Sequence, residues 1–123
     1  MMSEDQKKEQ MLNLVNILTE RTRAGKISWI RKEDGYATPF KGGDIIEISC
    51  NFAYDEESGE ETTVPINFLL IFTNSEGVNY DGFYVTNPEH DGFSNFSSLY
   101  NSILEKEKED FLKKYNDYIN EGK

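Results

Sequence analysis

The chain has 123 residues, 37% hydrophobic and 13% aromatic against 29% charged, with one cysteine and a formal net charge of −10. That length and balance describe a single globular domain, residues 1–123, and exclude a multi-domain or low-complexity protein. The charge disfavours nucleic acid and anionic membranes as partners, and a lone cysteine, Cys50, cannot form an internal disulfide.

No apolar stretch approaches the ~18 residues needed to cross a bilayer. The first ten residues, MMSEDQKKEQ, lack the basic start and apolar run of a signal peptide. With the single thiol, this predicts a cytoplasmic protein. The charge is unevenly placed. Residues 1–41 carry eight bases and six acids, and residues 106–123 carry five of each. Residues 42–105 carry twelve acids and no Lys or Arg, so the middle of the chain is an acidic body.

Ser3 with Gln6 three residues on matches a capping box, and acids in the first turn favour the positive end of a helix dipole. Met11, Leu14, Val15 and Leu18 then recur at helical spacing, with Leu12 and Ile17 widening the stripe. Arg21 and Arg23 fit a last turn, and Gly25 supplies a left-handed stop. A first strand is predicted over residues 26–31, with Ile27 and Trp29 on one face. A second spans residues 36–40, where Pro39 suits an edge or a strand end.

Residues 45–54 alternate cleanly. Ile46, Ile48, Cys50, Phe52 and Tyr54 share the core face, while Glu47, Ser49 and Asn51 share the other. Residues 55–63 follow as a solvated acidic hairpin loop containing Asp55, Glu56, Glu57, Glu60 and Glu61. The apolar run VPINFLLIFT, residues 64–73, is the central strand. It is expected to place Val64, Ile66, Phe68, Leu70 and Phe72 on the core and Asn67, Leu69 and Ile71 outside. A last strand is predicted from about residue 78 to 86.

A closing helix is predicted over about residues 95–120, with Phe96, Leu99, Tyr100, Ile103, Phe111, Tyr115 and Tyr118 at a period near 3.6. At ~39 Å it exceeds what a small sheet needs, so its distal half is expected to protrude or bend. The order α-β-β-β-β-β-α with short turns predicts a two-layer α+β fold. Its sheet is a five-stranded antiparallel meander with both terminal helices packed on one face.

The residues Thr22, Gly25, Lys26, Ile27 and Trp29, with Tyr36 shortly after and the pair Leu99-Tyr100 in the closing helix, carry a resemblance. They resemble a group of small uncharacterised bacterial and phage-associated proteins, in which a helix ending in Thr-x-x-Gly-Lys-Ile leads into a Trp-bearing strand, an antiparallel sheet and a closing helix. The match covers about a dozen residues, and the acidic loop and the long second helix depart from the group. The resemblance implies the same fold and a bacterial or phage setting, and brings no catalytic residues.

The chain offers few groups for chemistry. His90, the one histidine, lies between Glu89 and Asp91. It could act as a base held by a carboxylate, but no nucleophile motif surrounds it and a loop histidine beside Pro and Gly is usually a surface residue. Cys50 falls on the core face with nothing basic beside it, as a small packed hydrophobe. The acidic loop lacks the spacing that folds around calcium, and no zinc, phosphate or dinucleotide signature is present, so no cofactor is expected. Trp29, Tyr80, Phe83 and Tyr84 lack the Lys and Arg of a base-stacking platform.

What remains is a surface. Ile45, Leu69 and Ile71, with Glu47 and Asn67, are expected to form an apolar patch among carboxylates on the outer sheet face. The leading expectation is a non-enzymatic protein-binding module, of immunity or anti-defence type, meeting a basic protein through this face and the acidic loop, with homodimerisation as a further expectation. The alternatives are a dimeric secretion-chaperone-like protein and, last, a hydrolase using His90.

Overall fold

Ser3 caps the first helix, α1 (Glu4–Arg23): its hydroxyl accepts the Gln6 N–H at 3.2 Å, and the Gln6 side chain accepts the Ser3 N–H at 3.1 Å. Two of the helix's orphan donors are thereby satisfied reciprocally. At the other end Gly25 takes φ 72°, and the Lys26 N–H returns to the Arg21 carbonyl at 2.9 Å. The computed structural model, which describes residues 3–86 and 92–121, continues with five strands and a second helix. They are β1 (Ile30–Arg31), β2 (Gly35–Pro39), β3 (Ile45–Tyr54), β4 (Glu61–Thr73), β5 (Asn79–Thr86) and α2 (Phe93–Glu121).

The strands form one antiparallel sheet in the order β1-β2-β3-β4-β5, the predicted meander. The alternating residues Ile46 and Ile48 of β3, and Phe68, Leu70 and Phe72 of β4, meet Met11, Val15 and Leu18 of α1 in one core. Phe96, Leu99, Tyr100 and Ile103 of α2 complete it. Both helices therefore lie on one face of the sheet. Polar ties fix their position: Lys7 of α1 reaches Asp81 of β5 at 3.0 Å, Asn95 of α2 donates to Asn16 of α1 at 2.8 Å, and Arg31 of β1 pairs with Glu107 of α2 at 2.6 Å. The buried hydroxyls of Thr19 and Thr22 donate to the carbonyls four residues back. Thr22 also accepts the Trp29 indole N–H at 2.9 Å.

Several expected boundaries move. Residues 26–29 do not pair as a strand; the Thr38 hydroxyl takes the Ser28 carbonyl at 2.8 Å instead, and only Ile30 and Arg31 enter the ladder. Ile27 and Trp29 still pack against the core. β4 starts at Glu61, so the acidic loop is shorter than expected.

Val64 and Ile66 are not core residues: they are 59% and 41% exposed, and Tyr54, also expected inside, is exposed. The cause is a pair of register shifts. Asn51 pairs with Asn67 but Phe52 with Pro65, which leaves Ile66 in a bulge, and a second shift separates Phe52 from Tyr54. A bulge interrupts alternation, and here it lies where β2 has ended opposite Ser49 and β5 opposite Asn67. Among the described residues the hairpin beyond is a two-stranded ribbon without flanking strands. On α1, Ile17 likewise falls outside the core, being exposed at the margin of the stripe.

Helix α2 runs through the full predicted length and slightly beyond it. Its residues Phe93 to Ile103 supply the buried face, while Phe111, Leu112, Tyr115, Tyr118 and Ile119 are exposed. The distal half protrudes.

Gly35 of β2 lies hard against the neighbouring strand. A Cβ at that position would lie 1.9 Å from the Ile48 carbonyl oxygen, in the backbone of β3. Gly35→Ala must therefore separate β2 from β3, and is expected to cost about 3 kcal/mol or more in urea unfolding. Gly82→Ala, whose nearest neighbour would be 3.5 Å away, serves as the comparison and should cost far less. Equal stability of the two variants would contradict this packing.

Candidate functional site

The pleat of the two longest strands sends alternate residues away from the helices. Register places Ile45 opposite Thr73, Glu47 opposite Ile71, Ser49 opposite Leu69 and Asn51 opposite Asn67. β5 adds Tyr84 beside Leu69 and Gly82 beside Ile71. The five sheet residues singled out in the sequence (Ile45, Glu47, Asn67, Leu69 and Ile71) thus share one face. Leu69 and Ile71 are half-buried by their neighbours alone, while Ile45 and Tyr84 are exposed. Gly82 carries no side chain, which leaves one flank of Ile71 open. At the far end of the patch the Asn51 amide donates to the Asn67 carbonyl oxygen at 2.9 Å and makes a polar border.

Leu69 and Ile71 also line a depression of about 420 Å³. Glu47 and Ser49 contribute to it from β3, and Glu33 and Asp34 from the turn between β1 and β2. An apolar floor with three carboxylates beside it suits the aliphatic stem and charged head of a Lys or Arg side chain. Lys32 stands on the same rim, so the depression is acidic on balance rather than uniformly so.

The acidic loop is a separate feature. It lies beyond Asn51 and Asn67, at the tip of the β3–β4 ribbon. Asp55 organises it: one carboxylate oxygen accepts the N–H groups of Glu57 at 2.8 Å and Ser58 at 3.4 Å, and the Asp55 N–H donates to the Glu60 carbonyl at 2.8 Å. Gly59, at φ 69°, closes the turn. Glu56, Glu57 and Glu60 are exposed, and Glu61 belongs to β4 opposite Tyr54. Among the described residues no group of three or more His, Cys, Asp or Glu is placed to hold a metal ion. His90, with Glu89 and Asp91, lies outside the described residues.

The aromatic residues weighed as a platform are dispersed. Phe83 turns inward and stacks on Phe96 with ring centroids 5.8 Å apart, Tyr84 points outward, and the Tyr80 hydroxyl donates to Asp44 at 2.8 Å. Trp29 sits at the edge of the helical layer, where it lines a groove of about 400 Å³ between the end of α1 and the middle of α2. Thr22, Ile27, Tyr36, Lys106 and Phe111 share that groove. Sequence reasoning did not single it out as a site. The available signal was the run Thr22 to Trp29, whose members read there only as a helix stop and a strand.

Beside the groove, the Arg31 guanidinium donates to both Glu107 oxygens, at 2.6 and 3.1 Å, and to the Tyr36 hydroxyl at 3.1 Å. Tyr36 in turn donates to Glu107 at 3.1 Å. Arg31 holds the Glu107 carboxyl below its usual range, and burial, reinforced by Glu107, raises the Tyr36 phenol. The arrangement clamps β1 and β2 to α2.

The fold and its exposed patch define a two-layer α+β protein with one sheet face packed and the other, among the described residues, bare. Compared with known protein families, with curated proteins and with solved structures, the chain matches none.

Two measurements follow from the titratable groups. Burial first, and then the Glu61 carboxylate, push the Cys50 thiol up to about 11. Its thiolate fraction at neutral pH is then roughly a hundredfold below that of a free thiol, so alkylation of the folded chain should be slow and should accelerate only at strongly alkaline pH. Fast labelling at neutral pH would contradict the packing of Cys50. Glu107 has a folded-state value below its ordinary 4.5, so its contribution is present above that value and is lost as pH falls through the lowered one. Glu107→Gln should lower the thermal midpoint at neutral pH, and the gap to the parent should close in strong acid. An unchanged gap across that range would mean that the carboxylate charge plays no part.

Proposed function

We propose that this chain is a non-enzymatic protein-binding module, working inside the cell, whose bare sheet face meets a basic protein surface. The observation that carries the proposal is the coincidence of two features on one face. Ile45, Leu69, Ile71 and Tyr84 form an apolar patch over which, among the described residues, no helix lies. The stretch that contributes it, residues 42–105, carries twelve acids and no Lys or Arg. Apolar residues give such a contact its affinity, and the surrounding acids speed encounter and reject acidic competitors. The depression beside Glu47 accepts one basic side chain as an anchor, with the exposed acids of the β3–β4 tip extending the field. An immunity or anti-defence role, in which carboxylates cover the basic surface of a toxin or nuclease, is the specific form of this proposal.

A photo-crosslinking residue at Ile71 is expected to trap a basic protein from the host extract in low salt and to lose it in high salt. The same residue at Asn13, on the exposed side of α1, should trap none. Capture from both positions alike, capture indifferent to salt, or none from Ile71 contradicts the proposal.

A further inference from the structure

Apart from the sheet, α2 carries a second exposed apolar surface. Ile103 is the last fully packed residue of that helix, and the Arg31–Glu107 pair is the last strong tie to the body. From there the helix continues to Glu121, a projection of about 20 Å. Along it Phe111, Leu112, Tyr115, Tyr118 and Ile119 recur at helical spacing, between 43% and 77% exposed. The rings of Phe111 and Tyr115 stack on each other at 6.4 Å. Of the five, Phe111 alone touches the edge of the groove beside Trp29. A helix end of this length gains little stability by itself, and an apolar stripe on it is ordinarily held by a partner.

We infer that two copies of this chain pair through this projecting half of α2, stripe against stripe and antiparallel. Charge selects the occupant and the direction. Residues 106–121 carry four lysines and five acids, so this segment is nearly neutral, whereas residues 42–105 carry twelve acids and no bases. Two copies repel each other wherever the acidic parts face, and the helix ends, which carry no such excess, combine near-neutral charge with an exposed apolar stripe. A parallel pair would set the acidic bodies side by side, while an antiparallel pair holds them at opposite ends of the joined helices. Area agrees. The five side chains leave roughly 500 Å² accessible per copy, so a pair removes at most about 1,000 Å² from water, the lower bound for a specific contact. The inference stands on the helix and is independent of what the sheet face binds.

Sedimentation equilibrium of the full chain, from micromolar to submillimolar concentration, tests it. The expected mass rises from 14.2 kDa towards twice that value. Added salt should strengthen the pair by screening the acidic bodies, opposite to its effect on a basic partner. Tyr115→Glu and Tyr118→Glu should each weaken dimerisation at least ~tenfold while Trp29 emission and the melting of the body stay unchanged. Ile71→Lys, on the sheet, should leave it intact. A parent chain that stays monomeric overturns the inference, as does a dimer weakened by Ile71→Lys and not by the helix variants. A monomer that instead binds phosphatidylcholine–phosphatidylglycerol vesicles through this stripe also overturns it, assigning the helix to a lipid surface.

Discussion

Phe68, in the middle of β4, has its ring against Phe93 at 5.2 Å, Tyr100 at 5.7 Å and Phe96 at 6.2 Å. Phe96 passes the contact on to Phe83 of β5, and Tyr100 to Tyr36 of β2 and Phe52 of β3. One aromatic cluster therefore joins α2 to four strands. Removing Phe68 or Phe96 would take a fully buried ring from the centre of that cluster, among the most costly kinds of core substitution. Because strand residues alternate, fixing Phe68 towards the helices also fixes Leu69 and Ile71 away from them. The bare face is thus a consequence of the packing that stabilises the fold, and it needs no separate device to expose it.

The same constraint explains why the chain offers two different surfaces. The acidic stretch supplies β3, β4 and β5, whose outer face combines apolar residues with carboxylates. The projecting end of α2 lies outside that stretch and combines apolar residues with balanced charge. The first suits a partner of opposite charge, the second a copy of itself, and salt moves the two contacts in opposite directions. Neither surface asks for catalytic groups. The Arg31–Tyr36–Glu107 cluster has a geometric task, holding the β1–β2 edge against α2 where the body ends and the projection begins.

The fold was legible in the sequence because its signals agree at several levels. Capping at Ser3, the stripe of α1, the stop at Gly25 and the alternation of β3 all point to one arrangement. The placement of Glu47, Leu69 and Ile71 on one face followed from alternation alone. Errors arose where local pattern and pairing part company. Val64 and Ile66 continue the apolar alternation of β4, and alternation cannot reveal the bulge that turns them outward. Glu61 and Thr62 read as loop because their chemistry is polar, but an unflanked ribbon tolerates polar residues on both faces. Phe111, Tyr115 and Tyr118 keep the helical period of the core residues before them. Only the size of the body, which ends near Glu107, separates a packed stripe from an exposed one. The groove beside Trp29 was not visible because it needs α1, the segment after it and α2 together.

The central claim is that one face of this sheet is packed and the other is open. Hydroxyl-radical footprinting of the isolated chain at low concentration tests it most directly. Ile71 and Tyr84 should be oxidised readily while Phe68, Leu70 and Phe96 stay protected. Protection of Ile71 and Tyr84 to the level of Phe68 would mean that the outer face is covered, and would contradict the account.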